Sequence, residues 1–478
     1  MTQTLIATLV AVAIYLAELG GVALAISRKR DAPSAIAWSL AIIFLPVIGL
    51  AAFLLFGLER IPRRLKRKAA QARNVRDLFK RQLTDSQAVA TMEARRGWQG
   101  LGLLAENAGA PPIMEGNDVK LLEHGQPAFD AIIEAISAAK HHVHVEEYIF
   151  RDDRLGRELL DAMIERARAG IKVRLLVDAV GSFGNWRTIR HLKKAGGEGA
   201  VFMPLLPWFK ATFPNMRNHR KIVVVDGRVG FLGGLNVGEE YAGRRFRNRH
   251  WADAHLRIAG PAVSEVQRVF LEDWDFATGR MPEAAECFPM IEPCGNSRVQ
   301  ILSGGPDDEQ NALRQAYFAA ITSADKNLKI ATPYLVPDLA MREALKTAAM
   351  RGVDVTILTQ GKPPDSWLTY WASRYYWDEL LCSGVKLFEY QRGMMHAKMV
   401  LADHAWATIG SANLDNRSLR LNFEVTASFD SPGDIRLFYE RFESELKRAR
   451  QVTLRGFRKR SLTARAFEEL ARLASPLL

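Results

Sequence analysis

The chain has 478 residues and a formal charge of +12, with 48% hydrophobic and 25% charged residues. That composition excludes disorder as its general state, and the length accommodates two or three globular units with a sizeable core. The three cysteines, Cys287, Cys294 and Cys382, are too few and too irregular for a disulfide framework, and no cysteine and histidine set has zinc-site spacing.

From the N-terminus, Thr4 to Ile26 has Glu18 as its single charge and Ser34 to Gly57 has none. At a rise of about 1.5 Å per residue either run crosses a hydrocarbon core about 30 Å thick. Residues 1–59 are therefore expected to form a transmembrane helical hairpin, with helices over about 4–26 and 34–57. A cleaved signal peptide fits less well, because no Lys or Arg precedes the first run and a second run follows it. The turn carries Arg28, Lys29 and Arg30, and six further bases fall between Arg60 and Lys68. The heavier bias puts the C-terminal part in the cytoplasm, with a re-entrant hairpin as the alternative.

Residues 60–81 hold ten Lys/Arg against Asp77, and residues 447–460 hold seven bases and no acid. These charges of +9 and +7 exceed the total of +12, so the remainder carries −4. The basicity is local, which argues against a nucleic-acid partner and for anionic lipid headgroups beside the apolar runs. Residues 60–118, ending in a Gly/Ala-rich stretch, read as a basic juxtamembrane segment and linker.

From residue 119 the pattern repeats. Helix, strand, helix, strand follow one another over Ala128 to Val177 and again over Gln315 to Leu358, with Lys140 matching Lys326 and Tyr148 matching Tyr334. Helices alternating with short Val/Ile-rich strands predict an α/β fold. The duplication predicts two halves, 119–295 and 296–478, about a pseudo-two-fold axis, the second ending in a basic helix.

Each half carries His-x-Lys, four residues, Asp, six residues, Gly-Gly or Gly-Ser, one residue, Asn. The sets are His219, Lys221, Asp226 and Asn236, then His396, Lys398, Asp403 and Asn413. The apolar run after each lysine is a buried strand, so histidine and lysine at i and i+2 project from one face. Two such sets facing each other suit a tetrahedral phosphate. The lysines and asparagines hold its oxygens, one histidine attacks phosphorus, and the other protonates the leaving group. Asp226 and Asp403 sit at strand-to-turn junctions, where a catalytic role and a backbone-binding role are equally open.

The doubled pattern resembles the HKD motifs of the phospholipase D superfamily over nearly all of 120–478. The run SAIAWSLAIIFLPVIGLAAFLLFG, the Ser303 to Pro306 turn and the closing Leu473 to Leu478 are similar to bacterial cardiolipin synthases. The resemblance implies phosphatidyl transfer without metal or cofactor, with phosphatidylglycerol as donor and acceptor, His219 as nucleophile and His396 as general acid and base. It implies an inner-membrane location and an acidic residue downstream of each motif that orients an imidazole. Glu424, in LNFE, fits one. Asp253 fits the other, within Trp251-Ala252-Asp253-Ala254-His255, where the family more often has Trp-Arg-Asp-Thr-His. The alternatives are a hydrolase using water, a different phosphatidyl donor and a nucleic-acid phosphodiesterase.

Overall fold

The computed structural model describes residues 2–29, 32–57, 98–122, 125–204, 215–243, 250–282, 287–308 and 310–478. The first basic run, residues 60–81, lies outside them. The chain divides into two units, Met1–Lys66 and Arg67–Leu478.

In the first unit, α1 (Thr2–Arg28) is long and apolar enough to cross a membrane. The second run departs from the expected single helix over 34–57. It forms α2 (Ala32–Phe44), then α3 (Ile48–Ala52), closed by a π turn over Phe53–Gly57. The break falls at Pro46, which has no N–H to continue the ladder, and Val47 takes a φ of 64°. At 13 residues, α2 alone is too short to span the core. The pieces fold together because Gly21 lacks a side chain: a Cβ there would lie 2.5 Å from Leu50 Cδ1, next to Ile42.

The second unit is built on one 15-stranded sheet, whose strands appear twice in matching order, with two further two-stranded sheets beside it. The first half contributes β1 (Met114–Leu122), β2 (His142–Glu147), β3 (Lys172–Asp178), β4 (Glu198–Phe202), β5 (Lys221–Val225), β6 (Val229–Gly233), β7 (His250–Ala252) and β8 (His255–Ala259). The second contributes β9 (Ser297–Gly304), β10 (Asn327–Ala331), β11 (Leu335–Val336), β12 (Asp354–Thr359), β13 (Lys386–Tyr390), β14 (Gly393–Met395), β15 (Met399–Ala402), β16 (Trp406–Gly410), β17 (Leu414–Asp415), β18 (Glu424–Phe429) and β19 (Ala449–Val452). The order across the sheet is β19-β13-β12-β10-β15-β16-β18-β9-β1-β8-β6-β5-β2-β3-β4. Apart from the edge strand β19, it reads the same outward from the β9–β1 seam, the signature of the duplication.

The parallel trios β2-β3-β4 and β10-β12-β13 require helical crossovers, and the sequence supplies them. Arg154–Arg168 and Leu339–Met350 start alike: the Asp153 and Asp338 side chains accept from Gly156 N at 3.0 Å and Met341 N at 2.9 Å. Each cap is worth about 1 kcal/mol. The strands are buried on both faces: β2 buries Val143 and Val145 on one and His144 and Glu146 on the other, and β12 buries the adjacent Ile357 and Leu358.

Two expected boundaries are corrected. The stretch read as linker up to residue 118 enters the core. Gln99–Asn107 is a helix whose Leu101 and Ala105 join the second-half core, and β1 starts at Met114 at the centre of the sheet. Its small residues allow close packing, since a Cβ on Gly102 would lie 2.6 Å from Ile113 Cδ1. The second basic run is not a helix. It spans β19 and the short helix Leu454–Arg458, and the longer helix Leu462–Arg472 follows it. Arg450, Arg458 and Arg460 pair with Glu389, Asp378 and Glu468 at 2.7 to 3.0 Å. These arginines clasp the fold, and their charge is largely offset by those acids.

Candidate active site

His219 and His396 lie just before β5 and β15, each two residues ahead of its motif lysine, Lys221 opening β5 and Lys398 immediately preceding β15. Each is held by backbone from the opposite half. His219 N donates to Phe423 O at 2.9 Å, and His396 N donates to Ala252 O at 2.8 Å. Beside the second bond, β14 runs parallel to β7 across the two halves.

The acids cross over in the same way. The His219 Nδ1–H points between the oxygens of Glu424, both at 3.0 Å, and His396 Nδ1–H donates to Asp253 Oδ2 at 2.7 Å. Each carboxylate is set in turn. Ser411 Oγ donates to Glu424 Oε2 at 2.5 Å, and Ala254 N donates to Asp253 Oδ1 at 2.8 Å. A carboxylate on Nδ1–H leaves the Nε2 lone pair available, and neither Nε2 bonds another described residue. The glycine steps have a direct geometric reason: a Cβ on Gly234 would stand 2.0 Å from Asp253 Oδ1.

Lys221 Nζ donates to His219 O at 2.6 Å, and Lys398 Nζ lies 2.8 Å from His396 Nδ1. Burial sets the charge states. It lowers His219 to about 4 against the opposing pull of Glu424, and it lowers His396, helped by Lys398 and opposed by Asp253. Burial also brings Lys221 down to about 7 and Lys398 to about 8. It would raise both acids too, but His396 and Lys398 hold Asp253 below its usual range, as His219 and Lys221 do for Glu424. The result is two neutral imidazoles beside two lysines and two carboxylates, into which an anion brings the missing negative charge.

Asn236 and Asn413 are buried, each with its Oδ1 unpartnered. The carboxylates of Asp226 and Asp403 bind backbone N–H groups rather than an imidazole. Asp226 accepts from the backbone N–H of Lys140, His141 and His142 at 2.7 to 3.2 Å. Asp403 does the same for Asp325, Lys326 and Asn327 at 2.8 Å. Both have positive φ, 54° and 51°, and both sit at the far end of their strand from the lysine. Their carboxylates pin the start of β2 and β10. Asp226→Ala and Asp403→Ala are expected to destabilise by about 1–3 kcal/mol by leaving those donors unpaired. A denaturation midpoint read beside the turnover of the folded fraction checks this: the first falls, the second holds.

Several partners escaped the sequence reading. Asn218 and Arg220 bracket His219, whereas Met395 and Ala397 bracket His396. Arg220 is buried, pairs with Asp273 and donates through Nε to Glu424 O at 3.1 Å, tying β18 to the first motif. Tyr148 stands edge-on to His219 with ring centroids 5.0 Å apart, and Trp251 lies 5.3 Å from His396. The difference between the NHRK and MHAK strings was the available signal for the first pair. Folding also gathers His142, His144 and Cys287 within 4.8 Å, which no spacing announced. Gln267 there bonds both imidazoles at 3.0 and 2.7 Å, and Arg174 Nη1 faces His144 Nε2 at 3.0 Å, a cation where a metal would have to sit.

With this geometry in view, comparison with known proteins adds the family. The model described as "Cardiolipin synthase, PLD-like domain" matches residues 132–274 and 317–447, and "Phospholipase_D-nuclease N-terminal" matches 20–57. A cardiolipin synthase of Geobacillus sp. (strain WCH70) is 39% identical over 96% of this chain and 91% of its own length. Cardiolipin synthase 2 of Bacillus anthracis is 38% identical over 94% of this chain and 88% of its own. Among solved structures, phosphatidylserine synthase of Haemophilus influenzae Rd KW20 superposes with a TM-score of 0.62 at 15% identity, over 79% of this chain and all of that one. At that identity the likeness is one of fold.

Proposed function

Because the chain belongs to the cardiolipin synthase family of PLD-like phosphatidyltransferases, we propose that it joins two phosphatidylglycerol molecules through a phosphohistidine on His219. Neutral His219 attacks phosphorus through Nε2 as the bond to the glycerol oxygen breaks, and His396 gives its proton to the departing glycerol. The phosphodiester charge next to His396 favours the imidazolium this step needs. A primary hydroxyl of a second phosphatidylglycerol then loses its proton to His396 and attacks phosphorus. The N–P bond breaks, and cardiolipin leaves with His219 restored.

Lys221 and Lys398 offset the charge that grows on the phosphoryl oxygens, with Asn236 and Asn413 beside them. The observation that carries the reading is the exchange of orienting carboxylates: each half fixes the imidazole of the other, so the two histidines work as a pair on one phosphorus. The test is to give the purified protein phosphatidylglycerol as sole phospholipid, with EDTA present, and analyse the products. Cardiolipin and glycerol support transfer, phosphatidic acid alone overturns the lipid acceptor, and failure of the reaction with EDTA overturns lysine-based charge compensation.

A pH profile follows from the charge states. His219 attacks only when neutral, above about 4, while Lys221 and Lys398 serve only when protonated, below about 7 and 8. The kcat/KM profile is expected to rise on the acid side near His219 and to fall on the alkaline side as the lysines lose their protons. The alkaline limb of kcat lies higher, because bound phosphate stabilises both ammonium groups.

The apolar α1 anchors the chain to the membrane. In this reading α1 and the α2–α3 segment form the hairpin of a multi-pass inner-membrane protein. The six bases of residues 60–68 hold the catalytic unit on the cytoplasmic side.

A further inference from the structure

The loops that leave the C-terminal ends of β3 and β12 occupy equivalent places in the two halves, and both present large apolar side chains to solvent. After β3, Phe183 is 82% and Trp186 53% exposed; after β12, Trp367 is 51% and Leu368 48% exposed. Trp186 and Trp367 each begin the helix that follows their loop. The C-terminal helix Leu462–Arg472 extends the second patch. Its Phe467 and Leu470 are exposed, and Trp367, Trp371 and Phe467 stack in sequence at 6.2 and 5.9 Å.

Both patches border the catalytic histidines. Ser182 Oγ donates to Tyr148 O at 2.9 Å, and Tyr148 is the ring beside His219. In the other half Tyr334 donates to Asp365, whose charge acts on His396 and Lys398. The chain end is bound here too, with Arg417 Nη1 donating to Leu477 O at 3.0 Å.

Cations line these apolar groups. The guanidinium groups of Arg187 and Arg190 lie 5.5 and 4.3 Å from the Trp186 ring, and Lys362 Nζ lies 5.5 Å from that of Trp371. None of the three has an ion-pair partner among the described residues, in contrast to Arg450, Arg458 and Arg460. Exposed Trp, Phe and Leu with unpaired bases between them complement a bilayer whose interface is apolar below and anionic above.

We propose that Phe183, Trp186, Trp367, Leu368, Phe467 and Leu470 form a rim that enters the interface of an anionic phospholipid bilayer and sets the two histidines at headgroup depth. The assignment rests on the phospholipid-transfer reading above and names the surface that delivers its substrate.

The test uses the full chain in vesicles of phosphatidylglycerol and phosphatidylcholine, with Cys294 and Cys382 replaced by Ser. Spin labels are placed through Trp186→Cys, Trp367→Cys and, as a control at the opposite end of the strands, Arg436→Cys. The labels at 186 and 367 are expected to be reached by oxygen and shielded from a water-soluble relaxant, with 436 fully aqueous. Aqueous behaviour at both rim positions overturns the proposal. So does shielding that develops in detergent with protein concentration, which would make the rim a contact between two copies of this chain.

A kinetic arm separates docking from chemistry. The triple variant Phe183→Ser, Trp186→Ser, Trp367→Ser is expected to lose tenfold or more of its rate on vesicle phosphatidylglycerol. It should keep the wild-type rate on a dispersed short-chain phosphatidylglycerol below its micelle concentration. Equal loss on both substrates overturns the proposal. Absence of product from the wild type on either substrate would count against the transfer reading, while the label depths still decide the rim.

Discussion

His219→Ala is expected to eliminate phosphatidyl transfer and, with it, the covalent intermediate. His396→Ala is expected to lower turnover by about 10²–10⁴-fold, the usual value of a positioned acid and base, yet to keep the first chemical step when the leaving group needs no proton. A phosphatidyl ester of p-nitrophenol separates the two. With it, His396→Ala should release about one equivalent of nitrophenol per site in a burst and then stall, because nothing activates the acceptor hydroxyl. His219→Ala should give no burst. A burst in His219→Ala and none in His396→Ala would reverse the assignment. The environments point the same way as the prediction. The segment bearing His219 is locked by the buried Arg220, and its imidazole is lowered to about 4, neutral and ready to attack at physiological pH.

The second large effect concerns the acids, and its distinctive feature is that it crosses the repeat. Glu424→Gln removes the charge that orients His219, although Glu424 lies in the other half. Asp253→Asn does the same to His396. Losing the carboxylate behind an active imidazole permits the wrong tautomer and costs about 10²–10⁴-fold. Glu424→Gln should therefore behave like the nucleophile variant and suppress the nitrophenol burst. Asp253→Asn should keep the burst and slow the turnover that follows. If each substitution instead reproduced the phenotype of the histidine in its own half, the exchanged pairing would be wrong.

Both substitutions retain shape, so folding should be little disturbed. Gly234→Ala offers a cruder comparison, because the added methyl meets Asp253 Oδ1 at 2.0 Å and must displace it.

Much of this molecule is legible in its sequence. A strand pattern that recurs with the same helices between its members already means an α/β duplication, because local periodicity reports which faces are buried. The paired His-x-Lys strings announced two imidazoles and two ammonium groups, although both histidines fall just before β5 and β15 rather than within them. Local pattern failed where small residues and turns were involved. Residues 98–118 read as linker because glycine and alanine carry no periodic signal, yet Gly102 is small so that Ile113 can approach. The second apolar run read as one helix because Pro46 is a single residue in a strongly hydrophobic stretch. Asp226 and Asp403 resembled catalytic acids by position, and only the placement of Lys140 to His142 and Asp325 to Asn327 showed what their oxygens bind.

What the sequence determined by itself is the inventory: two histidines, two lysines, two asparagines, two downstream acids, and a repeated scaffold to carry them. What tertiary structure decided is who serves whom. Glu424 and Asp253 were recognisable as orienting acids, but the exchange depends on β7 pairing with β14 and on Phe423 meeting His219, contacts between segments about 140 to 200 residues apart. Hydrogen bonding across such separations is set by how the two halves dock, and no periodicity of 2 or 3.6 residues carries that information.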